Sequence, residues 1–422
     1  MKLAVRLFAA WCVALMAAHA AQTADSKIAA DAVNALGVDL YRASPHGEDN
    51  LLLSPYSIQN ALAMVYAGAD GETRAEMQRV LHFPEDDNAL HESFAALARD
   101  LAAMADKTIE GVQEEKQRHL GGPTTPIEIH LANGLFAQRG YDFLAPFLAL
   151  VKEQSGARLL GVDYKKDPDG ARVAINRWVE QQTLHRIRDL IPTGAINPRT
   201  ILTLVNAFYL RAPWNKGFKE NLTKPQVFLV RGREGVIVPM MANEFGCGYR
   251  KEKGFQIVSC YFSGSLQFLI LLPDNPAGLP AVEAQLTPEL LAGCASLPRE
   301  SVILRLPRFR IEPPTLPLRE SLRMLGMKTA FDEPTGSANF DRLAARKPEE
   351  YLTLDAVLHK TVLFVDETGS EAAAAAAGIG ALSLGAPPPP KLEVRVGHPF
   401  LFAIQDTASG ACLFLGRVTD PR

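Results

Sequence analysis

The sequence holds little that would support catalysis, metal binding or nucleic-acid binding. Five cysteines are scattered through 422 residues, and no two stand in the C-x-x-C spacing of a zinc or redox site. No G-x-S-x-G nucleophile turn and no H-E-x-x-H metal helix occurs. Positive charge is not in excess: 44 Lys and Arg stand against 47 Asp and Glu, which removes the basic footprint that nucleic acid needs. Beyond the first 20 residues no apolar run is long enough to span a bilayer. Gly378-Ile-Gly380 is a stray glycine pair without the strand–turn–helix context of a dinucleotide site. The expectation is a chain with no cofactor, no metal, no nucleic-acid partner and no membrane partner.

What is present begins with the N-terminus. Lys2 and Arg6 precede an apolar stretch from Leu7 to Ala18, and Ala18-His19-Ala20 gives a small-x-small cleavage pattern. Residues 1–20 are therefore expected to be a signal peptide and 21–422 a single exported domain, secreted or periplasmic. Cys247, Cys260, Cys294 and Cys412 would remain after cleavage; the reading is free buried thiols or one optional bridge, with no pairing chosen.

Helical patterns dominate the first half. Ile28, Ala32, Leu36 and Leu40 recur every four residues. Ser54-Pro55 supplies a cap and a first-turn proline, followed by Ile58, Ala61, Leu62 and Val65. Thr73-x-x-Glu76 reads as a capping box before Met77, Val80 and Leu81. Residues 107–126 are polar and mixed in charge, with Gly121-Gly122-Pro123, and are expected to be an exposed loop. Arg172 to His185 is amphipathic. Strand patterns dominate the second half: the run Ile201 to Leu210, a hairpin around Ser263-Gly264-Ser265, and alternation in Val302 to Phe309 and Leu358 to Asp366. Leu392 to Val396, Phe400 to Ile404 and Cys412 to Val418 read as further strands. Helices first and strands later indicate an α+β fold.

Between these late strands, Thr368 to Pro390 holds six successive alanines, glycines at 378, 380 and 385, and four prolines at 387–390. Only 32 residues follow, apolar and strand-rich. Too few to fold alone, they have to pair upstream, so the segment is an excursion within one domain and of the length that is usually functional. If it entered a sheet, Ser370, Ala372, Ala374 and Ala376 would share one face and fit an existing core without overpacking, while Glu371 fell on the other. A short exposed alanine helix capped by Ser370 is the competing reading.

Five segments in order resemble the serpin family: Asn50-Leu-Leu-Leu-Ser-Pro-Tyr-Ser-Ile58; Leu204-Val-Asn-Ala-Phe-Tyr-Leu210 with Trp214; Val357-Leu-His-Lys-Thr-Val362 with Asp366-Glu-Thr-Gly-Ser-Glu-Ala-Ala-Ala-Ala375; His398-Pro-Phe-Leu-Phe402; and Phe414-Leu-Gly-Arg-Val418. The resemblance implies three β-sheets, eight or nine helices and an exposed reactive-centre loop, here about 367–390. It implies a monomeric protease inhibitor, not an enzyme: the protease attacks the loop, and the loop then inserts into the main sheet and traps the acyl-enzyme.

Carried over residue by residue, the resemblance makes Glu367, Gly369, Ser370, Ala372, Ala373, Ala374 and Ala375 the hinge. Ser54, Ser57, Asn206 and His359 become the polar shutter beneath the parting strands, and Trp214 the breach where insertion begins. Family spacing places the reactive bond at Ser383-Leu384, with Ala381-Leu382 or Leu382-Ser383 as alternatives. No Arg or Lys lies between Thr368 and Pro390, so the target is expected to be an elastase-, subtilisin- or chymotrypsin-like serine protease, or a cysteine protease, and not a trypsin-like one. The alternative is a non-inhibitory member acting as a binding protein or chaperone.

Overall fold

The computed structural model describes residues 26–45, 47–118, 122–153, 157–346, 351–370 and 391–422. The first half contributes helices α1 (Lys27–Ala43), α2 (Pro55–Gly68), α3 (Gly71–Val80), α4 (Asp87–Arg118), α5 (Ala145–Glu153) and α6 (Pro168–Gln182). Strands β1 (Leu51–Leu53), β2 (Glu128–Gln138) and β3 (Ala157–Val162) lie among them. The second half supplies β4 (Leu202–Pro213), β5 (Lys224–Val230), β6 (Glu234–Glu252), β7 (Phe255–Tyr261), β8 (Leu266–Pro273) and β9 (Arg299–Pro307). It continues with β10 (Phe309–Ile311), β11 (Leu316–Pro317), β12 (Leu354–Val365), β13 (Gly369–Ser370), β14 (Leu392–Arg395), β15 (Phe400–Asp406) and β16 (Cys412–Val418). Short helices α7 (Leu279–Glu283), α8 (Pro288–Gly293) and α9 (Arg319–Met324) interrupt these strands.

Among the described residues the strands form two hydrogen-bonded sheets. A nine-stranded sheet runs β1-β16-β15-β8-β7-β6-β9-β14, with β5 also on β6. The long strand β6 pairs first with β5, then with β9, then with β7, so it joins two groups of strands that would otherwise be separate. The seven-stranded sheet runs β10-β12-β4-β2-β3, with β11 on β12 and β13 on β4. Three strand groups result, in agreement with the expected architecture.

The centre of the second sheet explains the unbroken apolar run in β4. Leu202, Leu204, Phe208 and Leu210 enter the main core. Val205, Ala207 and Tyr209 pack on the opposite face with Ile175 and Val179 of α6. Phe208 also stacks on Phe414 of the other sheet, centroids 4.8 Å apart. Each such side chain contributes roughly 1.5–3 kcal/mol by leaving water.

Two sequence expectations are corrected. Residues 107–118 are helical, because α4 runs unbroken for 32 residues. Its buried stripe Leu97, Leu101, Met104 continues to Val112, and Thr108 accepts the Ile127 N–H at 2.9 Å, fixing the returning chain. Polarity there reflects an exposed helix face built of good helix formers. Thr73 and Glu76 do not form a capping box, since α3 starts earlier, after Asp70. Instead Thr73 Oγ1 accepts the Asn339 N–H, and Glu76 accepts from Lys328 N, Thr329 N and Thr329 Oγ1 at 2.7–2.9 Å. They clamp a distant loop. Ile28 is exposed, while Ala32, Leu36 and Leu40 of its stripe are buried.

Candidate functional site

Those expected site residues that the structure describes gather along one seam, the parallel junction of β4 with β12. Pairing runs from Leu354↔Leu202 to Val362↔Tyr209, with His359 opposite Asn206. Above Tyr209 the β4 edge passes to another strand: β13 pairs antiparallel to it, Gly369↔Pro213 and Ser370↔Ala212.

The reversal from β12 into β13 is a tight turn. Asp366 N–H donates to the Gly369 carbonyl at 2.9 Å, and the Asp366 carboxylate accepts Thr368 N–H, Thr368 Oγ1–H and Gly369 N–H. Gly369 has φ +147°, and a Cβ there would lie 2.3 Å from the Ala212 carbonyl oxygen. Only glycine permits so close an approach.

Trp214 ties this turn to the sheet. Its backbone N–H donates to the Thr368 carbonyl and its indole Nε1–H to the Asp366 carbonyl, both at 2.8 Å. The indole stacks on Phe262, centroids 4.2 Å apart. Phe218 N–H donates to the Glu367 carbonyl at 2.8 Å. Glu367 is 4% exposed, and its side chain accepts from Thr223 Oγ1 at 2.7 Å and Arg308 Nη2 at 2.6 Å. Burial pushes its carboxyl up, but the bonds from Arg308 and Thr223 outweigh that and hold it below the usual carboxylate range. Reciprocally, the hydrogen bond to Glu367 raises the Arg308 guanidinium. Sequence reading missed both partners, which lie 59 and 144 residues away.

Lower in the seam lies a closed polar network. Ser54 caps α2, its Oγ accepting Ser57 N–H at 3.2 Å. Ser54 N–H donates to His359 Nε2 at 3.1 Å, so the ring carries its proton on Nδ1 and gives it to Asn206 Oδ1. The two Nδ2 hydrogens of Asn206 are shared among Ser57 O, Ser57 Oγ and Asn133 Oδ1, all within hydrogen-bond reach. All five residues are at most 3% exposed. Burial lowers the His359 pKa to about 3, so the ring is neutral. Asn133 was missed in the sequence; it stands opposite Asn206 in the β2–β4 register.

Ala372 to Ala375 of the expected hinge, and the expected bonds at Ala381, Leu382, Ser383 and Leu384, lie outside the described residues, as does the expected signal peptide. Described backbone resumes at Lys391, just before β14 in the other sheet. The four cysteines 247, 260, 294 and 412 are buried free thiols. Among the described residues no helix is long and apolar enough to cross a membrane, and no cluster could hold a metal.

Comparison with known proteins agrees with this arrangement. A family profile described as Serpin (serine protease inhibitor) matches residues 31–421. The leukocyte elastase inhibitor of Bos taurus is 35% identical over 382 residues, covering 88% of this chain and 93% of the relative. The crystal structure of uncleaved ovalbumin superposes with TM-score 0.76 at 27% identity, covering 93% of this chain and 99% of that one. Human thyroxine-binding globulin in complex with thyroxine gives TM-score 0.75 at 25% identity, covering 94% of this chain and 99% of that one.

Proposed function

The chain belongs to the serpin family, a family of protease inhibitors and not of enzymes, and from that premise we propose that it is a suicide-substrate inhibitor of a serine-type endopeptidase. The loop from Glu367 to about Pro390 is the bait, and insertion between β4 and β12 is the trap. One observation carries this reading: β12 lets go of β4 above Tyr209, and β13 takes the vacated edge in the antiparallel sense an inserting strand needs. Continued inward, that register sets Ser370, Ala372, Ala374 and Ala376 on the face of Ala212, Leu210, Phe208 and Asn206. That is the core face of β4, where small side chains are tolerated and charges are not. Glu371 would stand opposite Arg211 on the other face.

The neutral network of His359, Asn206, Ser54 and Ser57 suits a seam that opens, because its partners can be exchanged when strands separate. The target is a protease accepting small, aliphatic or aromatic residues, elastase-, subtilisin- or chymotrypsin-like, and the bond attacked is Ser383-Leu384 or its neighbours Ala381-Leu382 and Leu382-Ser383. Similarity to an elastase inhibitor supports that choice. The basic and apolar N-terminal segment supports export, with residues 21–422 as the mature domain in the extracellular space or periplasm.

The test is incubation with a panel of such proteases. A complex one protease mass heavier, stable in denaturant, is expected, and the mass of the released peptide fixes the bond. Loop cleavage without any such complex refutes trapping. Likeness to a thyroxine-bound globulin favours a second reading, a binding protein; that reading predicts no complex with any protease.

A further inference from the structure

The foot of the same seam is fastened by a side chain outside the ladder. β12 bulges there: Leu354 pairs with Leu202 and Ala356 with Thr203, leaving Asp355 without a partner strand position. Its carboxylate reaches across the seam instead. Oδ2 accepts the backbone N–H groups of Ile201 at 2.6 Å and Leu202 at 3.1 Å, and Oδ1 accepts the Thr353 hydroxyl at 3.2 Å. Arg319 anchors the bulge from behind, donating to the Asp355 carbonyl at 3.1 Å and to Glu333 at 3.3 Å. These charge-assisted bonds tie the foot of β12 to the first amide of β4 and the one before it.

We propose that Asp355 is a clasp that has to open before the seam can part along its whole length, and that it governs the last stage of loop insertion. The proposal rests on the trapping function above. The register of β13 shows why the last stage is the one affected. Were the antiparallel register of Gly369↔Pro213 and Ser370↔Ala212 continued into the loop, each step would move one residue back along β4, and residues 371–379 would pair without reaching the clasp. On that continuation Gly380 and Ala381 would fall opposite Leu202 and Ile201, whose two amides Asp355 holds. These positions immediately precede or include the candidate reactive bonds, so the clasp opens as the attached protease completes its journey. Asp355 acts as a positioning residue: it touches no protease atom and sets only when the strands release.

Two synthetic peptides separate this from a general loosening of the fold. One carries residues 370–378 and stops short of the clasp; the other carries residues 370–381 and has to displace it. Annealing of each labelled peptide to the intact protein is followed by fluorescence anisotropy, in wild type, Asp355→Ala and the milder Asp355→Asn. The expected result is unchanged annealing of the short peptide and annealing of the long one faster by about tenfold in Asp355→Ala, the scale of losing one charge-assisted bond. Equal acceleration of both peptides, or of neither, overturns the clasp. Failure of both peptides to anneal to wild type, together with no rise in melting temperature after loop cleavage, overturns the trapping reading and the clasp with it. A rise after cleavage with no difference between variants removes the clasp alone. Asp355→Asn, which keeps the side-chain shape, stands in if the alanine variant does not fold.

Discussion

Lowering the pH from about 8 to about 5 should weaken the fold through His359. In the native protein the ring is neutral, receiving the Ser54 N–H on Nε2 and donating from Nδ1 to Asn206. Burial holds its pKa at about 3, against an ordinary value of 6.5. The folded value lies below the unfolded one, so on acidification the unfolded chain takes up the proton first. The stability contributed by the neutral ring is complete above 6.5 and is lost progressively as the pH falls toward 3. At pH 5 the unfolded ring is already mostly protonated, which costs the native state about 2 kcal/mol, a sizeable part of a typical 5–15 kcal/mol. His130 and His398 are also lowered by burial and add in the same direction. The decisive comparison is therefore between wild type and His359→Gln, each unfolded in urea across that pH range. Wild type should lose about 2 kcal/mol more than the variant between the two ends. Parallel curves would show that His359 titrates alike in both states, and the neutral network would have to be redrawn.

Other perturbations probe the remaining parts of the seam. Glu367→Ala should cost about 1–2 kcal/mol, discounted because the Arg308 side chain is 42% exposed and can be solvated. Hydrogen exchange at Trp214 and Phe218 should quicken with it; unchanged protection would mean the carboxylate does not hold the turn. Gly369→Val should unseat β13, since its Cβ would meet the Ala212 carbonyl at 2.3 Å; a variant that forms protease complexes as wild type does would contradict that. On the proposed trapping function, Ser370→Arg should turn an inhibitor into a substrate by driving a charge at the core face, and full inhibition would refute the register. The Cys260 thiol is raised by its hydrogen bond with Cys247 and by burial, and the thiols of Cys294 and Cys412 by burial, so the native protein should resist a thiol reagent that labels it after unfolding. Rapid labelling of the native state would sink that account.

What the sequence revealed depended on the range of the interactions. β4 was legible because burial on both faces leaves an apolar run, and α2 because Ser54-Pro55 is a local start signal. Glu367, Gly369 and Trp214 were legible through their resemblance to a family pattern, and the structure brings them within hydrogen-bond reach of one turn. Arg308, Thr223 and Asn133 were not, because nothing local marks a residue whose partner arrives by tertiary packing. Asp355 was hidden for another reason: the alternation read from sequence begins at Leu358, whereas β12 starts at Leu354, and only the bulge shows that the Asp355 side chain leaves the ladder. The second half of α4 was read as a loop because a single stripe residue, Val112, continues the pattern among charges.

The seated pair Gly369–Ser370 bears on speed. Reversing a chain and closing the first contacts is the entropically costly part of adding a strand, and later residues add one at a time. Here the reversal at Asp366–Gly369 is complete in the intact molecule. On the proposed trapping function, nucleation would therefore be complete before a protease cuts, and only elongation would remain to be run against hydrolysis of the acyl-enzyme.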